Sequence, residues 1–358
     1  MKRNTGLFLV LTTISCLLLL QYLYYTSVSR NAPENVESKN ILYWTKMFDR
    51  ADFYLGLGSQ IFEGCEFSNC YATVNKSYLP VDQFDAILFH GNEYHWEDQG
   101  KPESRSRHQY YIYSNQESPI YSTQGFGPVN FFNWTMTYRS DSDIMRPYGY
   151  YQKATTVYKM PTAADVQQRP HKIVWMVSNC NAMSNRNDLF EKLNKHIPID
   201  VYGTCGNKSC PKETFDECYD RLATNYKFYL SFENSICSEY VTEKLYAALM
   251  RDFVPIVYGG ADYSKIAPPN SVIDVSKFSS IKELAEFIKT LDEDPKKYLS
   301  YFEWKKEYIV KRDNKLTLCT LCRKLNEPIV HKSYTNIRKW WSYEMCFLDY
   351  KLPEVIFT

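Results

Sequence analysis

One stretch, Tyr226 to Leu249 (YKFYLSFENSICSEYVTEKLYAAL), constrains the fold of this chain more than any other. Phe228 to Phe232 is a short aromatic and apolar run, as a buried strand requires. Glu233, Asn234 and Ser235 follow as a polar loop, and Ser238 is suited to cap a helix. Beyond it Val241, Leu245, Ala248 and Leu249 recur at helical spacing, which predicts a core-facing stripe. Strands alternating with helices in this way imply a parallel sheet.

Tyr240, Glu243 and Lys244 stand at i, i+3 and i+4, so one face of the expected helix presents all three in its first turns. In an open parallel sheet, ligands bind beyond the carboxyl ends of the strands, where helix N-termini offer N–H groups to anions. A cation, a carboxylate and a phenol there suit a nucleotide-linked substrate, with Lys244 for phosphate and the other two for hydroxyls. The alternative is a solvated Glu–Lys pair on an exposed face. The polar loop that ends the strand favours a site.

The same pattern recurs along the chain. Ile41–Trp44, Ala86–His90 and Tyr110–Tyr113 read as buried strands of a first domain that runs to about Thr156. Glu117 follows the third of them, in Ser114-Asn115-Gln116-Glu117-Ser118-Pro119. Thr162 to Pro170, polar and bracketed by prolines, reads as a linker. Ile173–Val177 is then a strand, Ser178-Asn179 a turn, Arg186–His196 a helix and Ile199–Tyr202 the next strand. Arg186 opens its helix at the strand-end rim, where an arginine offers bidentate bonds to phosphate oxygens, although the pattern by itself favours the alternative of a surface arginine. Val254–Val257 is a further strand, followed by Gly259-Gly260. Ser280 and Glu283 form a capping box for a helix over Ile281–Leu291, and Leu299–Trp304 continues a terminal helix.

The N-terminus points to a membrane. Lys2 and Arg3 precede the apolar span Leu7–Tyr25, close to the ~20 residues needed to cross a bilayer. Ser27-Val28-Ser29 also fits a signal-peptide cleavage site. Apolar sequence running on to Tyr25 favours an uncleaved anchor with the remainder lumenal. Thr26 to Asn40 reads as a stem. Of the 11 cysteines, Cys16 lies in the span and ten follow it, beside sequons at Asn75, Asn133 and Asn207. Ten cysteines and three sequons together indicate an oxidising secretory compartment. Cys319-x-x-Cys322 also fits half of a zinc knuckle, but no second pair stands at the usual spacing. Ten cysteines allow hundreds of pairings, so connectivity stays open. A net charge of +1 argues against a nucleic-acid groove. Oligomeric state is not legible.

The run FENSICSEYVTEK closely resembles the signature of the α1,3-fucosyltransferase family, and the similarity extends from about Ile41 to Trp341. Phe132-Asn133-Trp134-Thr135, Tyr138 to Asp143 and Pro147-Tyr148-Gly149 match the family's N-domain motif, and Tyr298 to Phe302 with Trp304 match a later one. The resemblance implies an α/β GT-B fold, two Rossmann-like domains with parallel sheets facing across a cleft. It implies GDP-fucose as donor substrate and a glycan acceptor. It makes Glu117 of the E-S-P motif the catalytic base. The implied donor site is Tyr148, Ser178, Asn179, Arg186, Tyr229, Asn234, Tyr240, Glu243 and Lys244.

Asp141-Ser142-Asp143, read alone, is a D-x-D metal site. The family does not use these residues so, and they are expected to be structural. No ligated metal and no tightly bound cofactor are implied, and manganese or another divalent cation would stimulate by associating with GDP. In the family a C-terminal C-x-x-C bonds two cysteines near the first strand, which here points Cys319 and Cys322 to Cys65 and Cys70. Cys180, Cys205, Cys210, Cys218, Cys237 and Cys346 look most like the set in invertebrate core α1,3-fucosyltransferases, whose acceptor is the asparagine-linked GlcNAc of N-glycans. A Lewis-type acceptor is the alternative. From outside this activity, the rivals are another sugar-nucleotide transferase on the same fold and a glycan-binding module without turnover. The module would be expected to have lost Glu117, Arg186 or Lys244, and all three are present.

The expected organisation is a cytosolic tail (1–6), a signal-anchor (7–25), a stem (26–40), an acceptor-side domain (41–161), a GDP-fucose domain (162–315) and a tail packed back on the first domain (316–358). Such a chain is expected in the Golgi membrane as a single-pass type II protein.

Overall fold

A computed structural model of the protein describes residues 37–92, 100–122, 125–156, 158–210, 214–342 and 344–347. The cytosolic tail, the span over Leu7–Tyr25 and most of the stem lie outside the described residues. Among the described residues no helix is long and apolar enough to cross a membrane. From Lys39 onward the chain packs as one unit.

The first sheet contains β1 (Lys39–Tyr43), β2 (Cys70–Thr73), β3 (Ala86–His90), β4 (Tyr110–Asn115), β5 (Trp134–Thr137) and β6 (Ile144–Met145). Their order is β2-β1-β3-β4-β5-β6, and every neighbouring pair is parallel. β3 and β4 are buried along their whole length, which is why they read as unbroken apolar runs rather than alternating ones. After β7 (Tyr150–Lys153) the second sheet is built from β8 (His171–Met176), β9 (Ile199–Tyr202), β10 (Tyr226–Phe232), β11 (Val254–Tyr258) and β12 (Ile273–Asp274). Its order is β12-β11-β10-β8-β9, again parallel throughout. Each sheet therefore places its first strand between its second and third. The winding reverses between β1 and β3 and between β8 and β10, and a crevice opens at the carboxyl ends there.

Helices cover the second sheet on both faces. Arg186–Asn194 and Ile281–Glu293 bury Leu189, Leu193, Leu284 and Ile288 against Trp175, Phe228 and Leu230. Phe215–Asn225 and Glu243–Leu249 bury Tyr219, Leu222, Ala247 and Ala248 against Val174 and Tyr229. Ser280 caps its helix, accepting from Glu283 N at 3.1 Å, a contact worth ~1 kcal/mol. The Glu283 carboxylate returns to Ser279 N at 2.8 Å rather than to Ser280, so the expected reciprocal box is displaced by one residue. The expected helix through Trp304 breaks into Pro295–Ser300, capped by Asp294, and a separate turn at Glu303–Lys306. The linker is not irregular either. Thr162 and Asp165 form a capping box for a short helix, Ala163–Gln167, whose Val166 joins the core.

The chain then returns to the first sheet. β13 (Tyr308–Lys311) pairs antiparallel with β7. Helix Lys315–Asn326 adds Leu318, Leu321, Cys322 and Leu325 to one face of the first sheet. Ile337 and Trp341 close the other face with Tyr113, Tyr138 and Tyr240. The ten cysteines pair as Cys65–Cys319, Cys70–Cys322, Cys180–Cys205, Cys210–Cys218 and Cys237–Cys346. Three of these bridges pin the returning tail.

Candidate active site

The crevice of the second sheet lies where β8 and β10 end, and Arg186 spans it. The Arg186 side chain is almost fully buried. Its Nη1 donates to Phe232 O at 2.8 Å and its Nη2 to Asn179 O at 3.0 Å. Its Nε has no partner among the described residues, and burial pulls its pKa down. The Cys180–Cys205 bridge ties the loop after β8 to the end of β9. Above this floor opens a cleft of about 250 Å³. Ser178, Asn179, Arg186, Asn234, Glu243 and Lys244, six of the nine expected donor residues, line it together.

At one wall three charges meet. Lys244 Nζ lies 3.4 Å from Glu233 Oε2 and 3.2 Å from Glu243 Oε1, and donates to Thr242 Oγ1 at 2.8 Å. Glu233 is 1% exposed and accepts from Thr242 N at 2.8 Å. Burial raises the Glu233 pKa, and the Lys244 charge opposes that rise. Burial also works against the Lys244 charge, but Glu233 and Glu243 outweigh it and raise its pKa. Sequence reasoning treated Glu233 only as a loop residue.

The helix does not start after Ser238. It begins at Glu243, with Thr242 as its cap, and Tyr240 lies ahead of it. Long-range contacts hold the Ser238 segment out of a helix. Ser238 N donates to Met345 O at 2.7 Å beside the Cys237–Cys346 bridge, and Glu239 is left-handed (φ 58°) with its carboxylate on Ser140 N at 2.9 Å. Tyr240 consequently leaves the face of Glu243 and Lys244. Its hydroxyl donates to Glu117 Oε1 at 2.7 Å.

Glu117 follows β4 and meets the loop after β10 across the two sheets. Its Oε1 also accepts from Ser118 N at 2.8 Å and from Asn234 Nδ2 at 3.4 Å. Tyr148 supports the same loop, donating to Gln116 O at 2.5 Å. Gly149 beside it has no room for a side chain. A Cβ there would stand 2.4 Å from Tyr246 Cγ of the second-sheet helix. Tyr229 does not reach the cleft lining. It is buried in β10 behind Tyr219, hydroxyl to hydroxyl at 2.6 Å. Tyr219 and Phe215 do line the cleft, and sequence reasoning missed both. Their signal was an aromatic pair at i and i+4.

Asp141 and Asp143 serve the returning tail. Asp143 accepts from Lys332 Nζ at 2.7 Å, Tyr334 OH at 2.9 Å and Thr135 N at 3.0 Å. Asp141 pairs with Arg139 and accepts from Trp340 Nε1 at 3.2 Å. No cluster of metal-ligating side chains occurs among the described residues. Asn75 and Asn207 are exposed. Asn133 is built in, accepting from Tyr111 N and donating to Lys332 O, each at 2.8 Å.

Comparisons with known proteins match most of the chain. A model described as glycosyltransferase family 10 (fucosyltransferase) C-term matches residues 166–340, and one described as fucosyltransferase, N-terminal, matches residues 36–149. A Drosophila melanogaster protein named alpha-(1,3)-fucosyltransferase C is 35% identical, covering 88% of this chain and 80% of its own length. Glycoprotein 3-alpha-L-fucosyltransferase A of the same fly is 38% identical over 77% of this chain and 55% of its own. The human 4-galactosyl-N-acetylglucosaminide 3-alpha-L-fucosyltransferase 9 is 34% identical over 78% and 75%. In fold, the chain is similar to a crystal structure of an α1,3-fucosyltransferase with GDP-fucose, with a TM-score of 0.54, 18% identity and 84% and 94% coverage.

Proposed function

This chain belongs to glycosyltransferase family 10 and is an α1,3-fucosyltransferase, and from that premise we propose that it transfers L-fucose from GDP-β-L-fucose, with inversion, to the 3-hydroxyl of the asparagine-linked GlcNAc of N-glycans. The observation that carries this reading is the meeting of Glu117 with Tyr240 at 2.7 Å, beside the cleft of Arg186 and Lys244. A carboxylate of one sheet there faces the phosphate-suited pocket of the other, in a GT-B arrangement of an acceptor-side domain (41–161) and a donor domain (162–315) with a returning tail (316–358).

A β-linked donor giving an α-linkage requires a single in-line displacement. The bond from fucose C1 to the β-phosphate oxygen breaks while the acceptor O3 bonds C1 from the opposite face. Glu117 takes the O3 proton, as the base of an inverting glycosidase takes one from water. The diphosphate leaves with its developing charge met by Lys244 and Arg186, whose orphan Nε suits an anionic oxygen. Asn179, Ser178 and Asn234 hold the donor's polar groups, and Phe215 and Tyr219 offer ring faces to the nucleobase. Manganese acts, in this scheme, only through GDP.

The acceptor assignment rests on the bridges Cys180–Cys205, Cys210–Cys218 and Cys237–Cys346. Relatives' names include both glycoprotein and galactosyl-GlcNAc acceptors, so an antenna acceptor is the second reading. Lys2, Arg3 and the span at 7–25, with five disulfides behind it, support a type II protein of the Golgi membrane.

Two measurements test the proposal. Glu117→Gln should retain GDP binding and lose transfer by ~10²–10⁴. A variant that transfers at the parental rate puts the base elsewhere. Offered a truncated N-glycopeptide and N-acetyllactosamine together, the parent should fucosylate the glycopeptide. Product on the lactosamine alone removes the core assignment.

A further inference from the structure

We infer that Glu117 is set by a two-sided clamp, Asn115 beneath its backbone and Tyr240 across from the other sheet, which leaves Oε2 alone to take the acceptor proton. The inference rests on Glu117 being the base.

The lower jaw is the end of β4. Asn115 is fully buried, and its amide is used at both ends. Its Oδ1 accepts from Glu117 N at 3.0 Å, an Asx turn that sets the loop's direction. Its Nδ2 donates to Tyr113 OH at 3.1 Å and to Ser122 Oγ at 3.0 Å. Ser122 Oγ in turn donates to Ser118 O at 2.9 Å. The loop from 115 to 122 is thus closed on itself by buried bonds, and such satisfied networks hold one geometry.

The upper jaw is Tyr240. Its ring is 2% exposed, packed 5.2 Å from Tyr138 and 6.4 Å from Tyr148. It has little freedom to turn its hydroxyl away from Glu117. Tyr240, Ser118 and Asn234 all donate to Oε1, whereas Oε2 accepts no hydrogen bond among the described residues. A proton reaching this carboxylate therefore goes to Oε2.

The groups facing Glu117 are Tyr240 and Asn234 from the β10 side, and Tyr138 and Tyr148 from the β5–β6 side. Glu233 lies beyond Tyr240, and Arg139 and Glu239 lie beside Tyr138. Burial first, with carboxylates nearby, pushes all three tyrosines well above their ordinary pKa, so they stay neutral donors at working pH.

Tyr240→Phe keeps the ring and removes only that donor. The expected result is a kcat lower by about tenfold with a KM for GDP-fucose within about twofold. Ser122→Ala, which touches the loop backbone and not the carboxylate, should lower kcat by about two- to fivefold with KM unmoved. Tyr240→Phe with parental kcat, beside an inactive Glu117→Gln, overturns the clamp and leaves the base standing. A raised KM with kcat unchanged makes Tyr240 a donor contact and also overturns it. Parental kcat in Ser122→Ala removes the lower jaw. A fully active Glu117→Gln overturns the base itself, a separate failure.

Discussion

Replacing Lys244 by Met should reveal how the charge beside the donor cleft is held, because the ammonium has two tasks. It lies 3.4 Å from Glu233 and 3.2 Å from Glu243, and Glu233 is 1% exposed. At an effective dielectric of about 20, a pair at that distance attracts by roughly 5 kcal/mol before desolvation is charged against it. Breaking a buried pair costs about 3–5 kcal/mol, because the partner is left uncompensated. Met keeps the apolar stem, so packing changes little. Glu233, its pKa already raised by burial, then loses the main charge that opposed the rise.

The sign follows. A carboxyl raised in the folded state contributes stability below its unfolded value, and that contribution is lost as pH rises through the folded value. The deficit of Lys244→Met should therefore be smallest near pH 5 and grow towards pH 8. Denaturant unfolding at three pH values measures it. Adding Glu233→Gln should recover most of the lost stability and flatten the pH dependence. Affinity for GDP, measured by calorimetry, should stay ~10–100-fold low in both variants, since a charge-assisted phosphate contact worth about 1.5–3 kcal/mol is gone. A deficit independent of pH, or a double variant no more stable than the single one, refutes the argument.

Three further outcomes are expected. His90 is wholly buried at the end of β3, and burial, then Arg146, pulls its pKa from 6.5 to about 3. The unfolded imidazole is protonated first as pH falls, so stability present above 6.5 should drop by about 2 kcal/mol between pH 7 and pH 5, and His90→Gln should flatten that slope. Asp143→Asn should lower the melting temperature with GDP affinity unchanged, because Asp143 holds Lys332 and Tyr334 of the returning tail, and chelation should leave transfer within about twofold of the parent, since in the proposed mechanism Arg186 and Lys244 neutralise the leaving diphosphate. A GDP affinity that falls with either treatment would restore the D-x-D reading. Gly149→Ala should cost about 1–3 kcal/mol by unfolding assay, since its Cβ would meet the Tyr246 ring at 2.4 Å. A neutral substitution would mean the two sheets approach less closely there.

Sequence alone determined what short-range physics controls. Ala86–His90 was legible to the residue as a strand, and β10 and β11 within two, because burial on both faces demands unbroken apolar runs, while Ile199–Tyr202, a half-buried edge strand, was legible from its alternation of apolar Ile199 and Val201 with Asp200. Lys244 stood out because the first turn of a helix after a strand is where an open sheet presents ligands, whereas Asn179, Arg186 and Asn234 were singled out by the family resemblance, and the fold brings all four to one cleft. Contacts made across a hundred residues decided the rest. Ser238 has the chemistry of a cap, yet the tail takes its backbone through Met345 and the Cys237–Cys346 bridge, so the helix waits for Thr242. That delay carries Tyr240 away from Lys244 and onto Glu117, 123 residues earlier. Tyr229 faced an ambiguity of its own. A strand buried on both sides has no polar face to show which side meets the cleft, and only the packing of Tyr219 over it put Tyr229 behind the wall. The disulfides are the same case. Cys210–Cys218 closes only eight residues, but loop closure can join any two cysteines in an unfolded chain, and the folded sheets are what bring Cys65 to Cys319, Cys70 to Cys322 and Cys237 to Cys346.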